Sequence, residues 1–337
     1  MNSPLTDHLG RPLRDLRLSV TDRCNFRCSY CMPRDVYDRE FEFLPSSELL
    51  SFEEIRRTVG IMAGLGVKKV RITGGEPLLR RELEKLVAML AGIDGLEELT
   101  LTTNGSLLPR KARILREAGL SRVTVSLDSL DDDVFRRMND AGFPVERALA
   151  GIDAALRAGF DPIKVNVVVK RGVNEAGILD LARHFRSTGV IVRFIEFMDV
   201  GCTNGWCLED VVPATEILAR IDAEFPLDPV ESRYEGEVAR RYRYRDGAGE
   251  IGLIASVTGP FCSTCSRLRI SSDGRLFTCL FGSRSNDLRE RLRRGDDDAE
   301  VAAFLTGIWT RREDRYSELR TSHTSTGQKV EMPRIGG

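Results

Sequence analysis

The chain has 337 residues, of which 42% are hydrophobic and 30% are charged. Its 50 lysines and arginines nearly balance 51 aspartates and glutamates, so the formal net charge is −1. This composition excludes wholesale disorder and argues against a broad basic surface for nucleic acid or anionic lipid. No apolar run of about 18 residues is present, and residues 1–18 lack a signal-peptide core, so no membrane association is expected.

Apolar, β-branched runs alternate with helical patterns through the first part of the chain. Strands are predicted at 13–20, 67–73, 97–103, 122–127, 163–169 and 190–197. Helices are predicted between them at 47–64, 80–91, 109–118, 134–139, 145–158 and 176–188. Several of these helices end at glycine, as helix C-termini often do. The six units predict a parallel sheet, either doubly wound or closed into an incomplete barrel.

The pattern changes near residue 200. A loop is predicted at 201–210, a helix at 212–221 and short strands with an Asp246-Gly247 turn at 233–257. We therefore expect a barrel-like domain over residues 1–228 and a smaller domain over residues 229–337. The last part of the chain is polar and ends in two glycines, Gly336 and Gly337.

The eight cysteines are the most informative residues. Six of them form two triplets, Cys24, Cys28 and Cys31, and Cys262, Cys265 and Cys279. Such close spacing suits ligands of a metal centre better than disulfides, which indicates a reducing, cytoplasmic environment. The first triplet directly follows the first predicted strand, at the sheet edge where active sites of parallel β/α folds form.

Each triplet offers three thiolates where four protein ligands are usual. One interpretation of the first triplet is a zinc ion completed by a distant Cys or His, such as His8, His184 or His323. The second triplet could hold a structural zinc ion, or a cluster completed by Cys202 or Cys207. The other interpretation is a four-iron cluster with one open iron, which can bind a small molecule. Cys202 and Cys207 otherwise have no assigned role.

Basic residues interrupt strands that should be apolar on both faces. Arg267 and Arg269 alternate along a further strand-like segment, so they point the same way. Acidic partners could neutralise each cation singly, because a buried unpaired charge is costly. Convergence of several cations on one interior instead favours a multiply charged anion such as a triphosphate. The strand cations are Arg17, Lys69, Arg71 and Lys164.

Two motifs together resemble those of a known enzyme superfamily. The C-x3-C-x2-C spacing of the first triplet, with Tyr30 before its last cysteine, resembles the signature of radical S-adenosylmethionine enzymes. The segment Gly74-Gly75-Glu76-Pro77 resembles their site for the methionine amino group. With the second triplet, the Arg-Leu-Arg sequence at 267–269 and the terminal glycines, nearly the whole chain resembles the GTP 3′,8-cyclase family of molybdenum cofactor biosynthesis.

The resemblance implies a fold and a set of site residues. The fold is an α/β, incomplete (βα)6 TIM-type barrel with a smaller C-terminal cluster-binding domain. Two [4Fe-4S] clusters would be held by Cys24, Cys28 and Cys31, and by Cys262, Cys265 and Cys279. S-adenosylmethionine would be contacted by Tyr30, Gly75, Ser126 and Met198. GTP would be contacted by Arg17, Arg71, Thr102, Lys164, Arg267, Leu268 and Arg269. Gly336 and Gly337 would insert into the active site.

The implied reaction converts GTP to (8S)-3′,8-cyclo-7,8-dihydroguanosine 5′-triphosphate, the first step of the cofactor pathway and a carbon–carbon lyase activity. A 5′-deoxyadenosyl radical removes H3′ of the ribose, after which C3′ bonds to C8. The implied partners are an electron donor and a downstream cyclic pyranopterin monophosphate synthase. A homodimer is expected, with neither a nucleic acid nor a membrane as partner.

Two other functions remain open from the sequence. A peptide-modifying radical enzyme would use the second cluster for electron transfer, but the first predicted strand begins too early for a preceding leader-binding domain. A zinc-bearing interaction module would have no enzymatic activity. Analysis of bound iron and sulfide separates the module from the two enzymes.

Overall fold

Six parallel strands follow one another in both sequence and space in the computed structural model, which describes residues 4–320 and 329–336. They are β1 (Asp15–Ser19), β2 (Lys69–Thr73), β3 (Glu98–Thr103), β4 (Arg122–Ser126), β5 (Lys164–Val169) and β6 (Ile191–Glu196). Each lies inside its predicted range. The order never reverses, unlike that of a doubly wound sheet, so the barrel-type alternative is confirmed.

Helices connect these strands across the outside of the sheet. They are α1 (Phe52–Gly64), α2 (Leu83–Ala91), α3 (Leu108–Glu117), α4 (Asp132–Asn139), α5 (Val145–Arg157) and α6 (Ile178–Phe185). The first helix begins later than predicted because Ser51 caps it: the Ser51 hydroxyl accepts from the Glu54 N–H, and the Glu54 carboxylate accepts from the Ser51 N–H. No helix of the described residues is long and apolar enough to cross a bilayer.

The remainder of the described chain contains shorter elements. They are α7 (Ala214–Glu224), β7 (Leu227–Val230), β8 (Arg240–Tyr244), β9 (Glu250–Ile254), β10 (Arg267–Ile270), β11 (Arg275–Phe277), β12 (Asn286–Asp287), α8 (Leu288–Arg294), α9 (Asp298–Thr310), α10 (Tyr316–Leu319) and α11 (Met332–Ile335). Three-residue 3-10 helices lie at Pro77–Leu79, Glu175–Gly177, Leu208–Asp210 and Cys262–Thr264.

The C-terminal strands extend both edges of the barrel sheet rather than forming a sheet of their own. All twelve strands pair in the order β12-β11-β10-β1-β2-β3-β4-β5-β6-β9-β8-β7. Strand β10 is parallel to β1 and places Arg269 beside Arg17. Strand β9 is parallel to β6 at the other edge. The division of the chain between residues 228 and 229 stays a prediction.

Alternate residues along the barrel strands face two different environments. Leu16, Val70, Leu101, Val123 and Val165 are fully buried and belong to the apolar core. The residues between them are polar or charged and line a cavity in the barrel interior. A TIM-type barrel normally fills its interior with branched apolar side chains, so this interior is built for a ligand.

Glu196, at the end of β6, joins the barrel to the C-terminal region. Its side chain is completely buried, and its carboxylate accepts the N–H groups of Ala214 and Val257 at 2.7 Å. The N–H of Thr258 donates to the same carboxylate at 2.8 Å, and the Thr258 hydroxyl donates as well. One carboxylate therefore holds the start of α7 and the segment after β9 at the same edge of the barrel.

We expect Glu196→Gln to lower the free energy of unfolding by about 3 kcal/mol, because hydrogen bonds to a charged group contribute about 1.5–3 kcal/mol each. The amide keeps one acceptor oxygen and turns an N–H donor towards buried N–H groups. Urea unfolding followed by circular dichroism measures the change. Glu53→Gln, at an exposed position of α1, is the matched control and should change stability by less than about 0.5 kcal/mol. Equal losses in the two variants would contradict the prediction.

Candidate active site

A cavity of about 410 Å³ occupies the barrel interior and is bounded by residues of β1–β6 and β10. This volume lies in the range of small-molecule sites. Six residues that the sequence analysis assigned to GTP line it together, although they come from five separate strands. They are Arg17, Arg71, Thr102, Lys164, Arg267 and Arg269.

Leu268 does not share this environment. It is 1% exposed, and its side chain packs in the apolar core on the opposite face of β10 from its two arginine neighbours. The assignment of Leu268 to GTP stays a prediction. Contact from this residue to a molecule in the cavity would have to come from its backbone.

Lys69, which the sequence analysis placed among the strand cations, also lines the cavity, as do Arg122 and Arg193, which it did not name. Lys69 pairs with Glu98 at 2.6 Å, and Arg122 forms an ion pair with the same carboxylate. The Nε atoms of Arg122 and Arg193 are both buried, and neither finds a hydrogen-bond partner among the described residues. The sequence pattern that could have identified Arg193 is the alternation of polar and apolar residues in β6, which places Arg193 on the inward face.

The cavity cations destabilise one another's charged forms. Burial, followed by the charge of Arg193, lowers the pKa of Lys164 to about 6. Burial and the charge of Arg71 lower the pKa of Arg193 to about 9 and that of Lys69 to about 8. Burial and Arg122 lower the pKa of Arg71 to about 10. A polyanion in the cavity would reverse these shifts by supplying the missing negative charge.

The first cysteine triplet lies in the loop after β1. The N–H groups of Cys31 and Met32 donate to the Cys28 carbonyl at 2.9 and 2.8 Å, which curls the loop. Burial, followed by the nearby Glu76 carboxylate, raises the pKa of Cys24 to about 12. Burial also raises the pKa values of Cys28 and Cys31, and the neighbouring thiols add to the effect. A bound metal would provide the positive charge that three thiolates need here.

The double-glycine segment after β2 runs against this loop. The Gly75 N–H donates to the Thr21 carbonyl at 2.8 Å, and the next N–H donates to the Arg23 carbonyl at 2.8 Å. A Cβ on Gly74 would overlap the Thr21 carbonyl oxygen, and a Cβ on Gly75 would overlap that of Arg23. Gly74 also has a φ of +149°. Glycine is therefore required at both positions.

The Glu76 carboxylate serves the protein rather than a ligand. It accepts from the Thr103 hydroxyl and the Asn104 N–H at 2.7 Å each, and from the Leu78 N–H at 3.0 Å. Burial raises the pKa of Glu76 to about 7 in spite of these donors. A ligand ammonium would consequently be left with backbone carbonyls of the glycine segment.

Three of the four residues assigned to S-adenosylmethionine, Gly75, Tyr30 and Met198, lie at the first triplet or the cavity. Tyr30 lies within the triplet, and its hydroxyl donates to Asp128 at 2.8 Å. Ser126 ends β4, and Met198 lines the cavity. Asp128 was missed by the sequence analysis, although it is a carboxylate just beyond a strand end. Burial raises its pKa to about 6.

The second cysteine triplet lines the cavity itself. Cys262 and Cys265 bracket a single turn, in which the Cys265 N–H donates to the Cys262 carbonyl at 3.1 Å. Arg267 donates from Nη2 and Nε to the Cys265 sulfur at 3.0 and 3.3 Å. Burial opposes ionisation of this thiol, but the guanidiniums of Arg267 and Arg312 prevail and lower the pKa of Cys265 to about 6.

The thiol arrangement suits iron–sulfur clusters. Among residues 4–320 and 329–336, no three His, Cys, Asp or Glu side chains are grouped closely enough to hold a single metal ion. A four-iron cluster binds each thiolate to a different iron, so its ligands stand farther apart than those of zinc. Cys202 and Cys207 are exposed, and neither lines the cavity with the second triplet.

The described C-terminal residues reach the barrel strands. The Gly336 carbonyl accepts a hydrogen bond from Arg269 Nη1, and a Cβ on Gly336 would overlap the Thr73 side chain. Upstream, the Glu331 carboxylate accepts from the Cys202 N–H at 2.8 Å. Gly336 thus lies beside a cavity-lining arginine, while the predicted position of Gly337 falls outside the described residues.

Comparison with known proteins identifies relatives over the whole chain. Residues 18–185 match the Radical SAM superfamily, and residues 190–318 match Molybdenum Cofactor Synthesis C. The chain is 58% identical over 324 residues to the GTP 3′,8-cyclase of Acidothermus cellulolyticus, covering 95% of this chain and 90% of that one. It is 50% identical over 337 residues to that of Xanthomonas axonopodis pv. citri, covering 100% of both chains.

A solved structure with a similar fold is SuiB of Streptococcus suis bound to S-adenosylmethionine. The TM-score is 0.61 at 15% identity, and the match covers 87% of this chain and 68% of that one. SuiB bound to the precursor peptide SuiA gives a TM-score of 0.62 at 14% identity, covering 92% and 66%. At such low identity these matches support the TIM-like α/β fold and nothing about the substrate.

Tripolyphosphate binding should be coupled to protonation of Lys164. With a pKa of about 6, Lys164 is mostly neutral near pH 7.5, and a bound polyanion raises its pKa towards the ordinary 10.5. The bound form therefore carries about one more proton at this residue. Calorimetry in buffers of different ionisation enthalpy measures the protons taken up.

Lys164→Met tests the origin of that proton. The variant should take up about one proton fewer than the wild type, while Lys85→Met, which replaces an exposed lysine of α2, should match the wild type. Identical proton uptake in the wild type and Lys164→Met would contradict the assignment.

Proposed function

The chain belongs to the GTP 3′,8-cyclase family of radical S-adenosylmethionine enzymes, and we propose that it converts GTP to (8S)-3′,8-cyclo-7,8-dihydroguanosine 5′-triphosphate. The observation that carries the proposal is the cavity in the barrel. It brings a group of cations with lowered pKa values into one space with the second cysteine triplet. Membership of this enzyme family argues against the non-enzymatic zinc module.

The inward-facing cations are suited to the triphosphate. Arg17 lies between Arg71 and Arg269 in the strand register, which places three guanidinium-bearing residues side by side. Arg71 Nη1 donates to the Thr102 hydroxyl at 3.0 Å, which orients its guanidinium within the cavity. Arginine can bind phosphate oxygens through two parallel N–H donors, so this row would neutralise and orient a polyphosphate.

The second triplet would hold the other end of the nucleotide. Cys262, Cys265 and Cys279 share the cavity with the phosphate-binding cations and would hold a [4Fe-4S] cluster with an iron open to guanine. Because the base and the phosphates would each be bound at a separate site, the position and orientation of the ribose between them would be restricted. Such restriction is a main contribution that a protein makes to a radical reaction.

The first triplet would hold the other [4Fe-4S] cluster and S-adenosylmethionine. When bound, these groups supply the 5′-deoxyadenosyl radical that removes H3′ of the ribose and so permits C3′ to bond to C8. Gly75 lets a ligand approach the backbone, and Tyr30, Ser126 and Met198 are the remaining proposed contacts. Because Met198 also lines the cavity, it would lie where the two substrates meet.

The C-terminal segment would help to enclose the reaction. Gly336 is buried and receives a hydrogen bond from Arg269, so this segment would cover the cavity beside Arg269. Excluding water strengthens the interaction between arginine and phosphate and protects a radical from side reactions. The proposal assigns the same role to the terminal Gly337.

The proposal also includes partners that lie beyond this chain. An electron donor would reduce the first cluster, and a cyclic pyranopterin monophosphate synthase would consume the product. We further propose a homodimer in the cytoplasm, where reducing conditions keep cysteine thiols available as metal ligands. Light scattering coupled to size-exclusion chromatography tests the homodimer.

Anaerobic turnover of deuterated GTP tests the proposed reaction. The protein is incubated with S-adenosylmethionine, dithionite and GTP carrying deuterium at C3′, and the products are analysed by mass spectrometry. We expect cyclised nucleotide together with 5′-deoxyadenosine that carries one deuterium. Undeuterated 5′-deoxyadenosine in the presence of this substrate would contradict abstraction at C3′.

Cys24→Ser should reduce formation of both products to the background without enzyme, because it removes one of three proposed ligands of the first cluster. Cys207→Ser is the matched control, since Cys207 is exposed and lies outside both triplets, and it should retain activity. Normal 5′-deoxyadenosine formation by Cys24→Ser would reject the assignment of the first triplet.

A further inference from the structure

Three charged side chains form a buried unit beside the second cysteine triplet. Asp7 and Arg11 come from the segment before β1, and Arg312 follows α9; they are 6%, 2% and 4% exposed. The Asp7 carboxylate accepts from Arg11 Nε at 2.6 Å and from Arg312 Nη1 at 3.2 Å. One carboxylate therefore connects two guanidiniums that are about three hundred residues apart in sequence.

The two guanidiniums hold the backbone at all three cysteines. Arg11 Nη1 donates to the Cys262 carbonyl at 2.8 Å. Arg312 Nη1 donates to the Cys265 carbonyl at 2.6 Å, and its Nε donates to the Thr278 carbonyl at 3.0 Å. Thr278 directly precedes the last cysteine of the triplet. The unit thus fixes two stretches of chain that must come together to present three thiols.

Arg312 also reaches a thiol directly. Its Nη2 donates to the Cys265 sulfur at 3.1 Å, in addition to the bonds that this sulfur receives from Arg267. The Arg312 guanidinium lies 4.6 Å from the ring centre of Trp309, whose Nε1 donates to the Arg11 carbonyl at 3.2 Å. Stacking and hydrogen bonds together leave this guanidinium little freedom.

The charge of the unit suits an anionic metal centre. The buried part of the unit holds two guanidiniums and one carboxylate, and the partly exposed Asp314 carboxylate lies 3.5 Å from Arg312 Nε. Thiolate ligands would add negative charge beside the buried guanidiniums. Hydrogen bonds and charges around ligand atoms orient the ligands and alter the properties of the metal centre.

We propose that Asp7, Arg11 and Arg312 position the cysteines of the second cluster and that Arg312 raises the reduction potential of this cluster through its bond to the Cys265 sulfur. Reduction adds one negative charge to the cluster, so a cationic donor on a ligand sulfur stabilises the reduced form more than the oxidised form. The inference rests on the second cluster of the proposed function. Arg312 is a positioning residue, because it contacts a ligand rather than the substrate.

The second cluster can be studied alone in a chain in which Cys24, Cys28 and Cys31 are replaced by alanine. After anaerobic reconstitution this background should hold about four irons. Adding Arg312→Met should reduce bound iron to near zero. Adding Arg312→Lys, which keeps the charge but loses the planar set of donors, should retain the irons and shift the midpoint potential to a more negative value.

Two controls separate these effects from unfolding. Arg312→Met in a chain with all its cysteines should still hold about four irons at the first cluster. Arg293→Lys in the background changes an exposed arginine that pairs with Glu54, and it should alter neither the iron content nor the potential. An EPR-monitored redox titration gives the potentials without any turnover.

The outcomes distinguish this inference from the proposed function. A background chain that binds no iron would reject the second cluster itself. If the background chain holds about four irons, and neither the number of irons nor the midpoint potential changes in Arg312→Met or Arg312→Lys, only the role of Arg312 is overturned.

Discussion

Buried positive charge inside the barrel is the constraint on which the rest of the site depends. Arg17, Arg71, Lys164 and Arg193 face one cavity, and burial together with mutual repulsion lowers their pKa values. The opposite face of the same strands is apolar and packs against the helices. The fold can hold these cations because strand alternation keeps them out of the core, and their electrostatic cost is relieved when a polyanion binds.

The C-terminal region adds strands to the barrel sheet and so completes the lining of this interior. Strand β10 pairs with β1, so the second triplet and its neighbouring arginines join the ring of inward-facing residues. Buried charged groups secure the attachment, with Glu196 at one edge and the Asp7 unit near the other. The same bonds that hold the fold together therefore also bring the two ends of the proposed substrate site into position.

Cys265 lies in an electrostatic environment opposite to that of the first cysteine triplet. Burial and acidic neighbours, Glu76 and Asp128, raise the pKa values of thiols in the first triplet. In the second triplet, two guanidiniums overcome burial and lower the pKa of Cys265, whereas burial raises the pKa of Cys279 to about 11. Cationic donors favour the more negative, reduced state of a cluster, whereas acidic neighbours disfavour it.

The order of the six β/α units, the two triplets and the inward-facing cations of β1, β2, β5 and β10 were readable from the sequence, because side-chain periodicity and cysteine spacing are local properties of a chain. The sequence did not reveal the pairing of β10 with β1, the core position of Leu268, the internal role of Glu76, or the contacts of Asp7 and Arg312 with the second triplet. Each of these contacts joins segments that are far apart in sequence. Which segments meet is decided only in the folded protein, where packing and the pairing of buried charges select one arrangement.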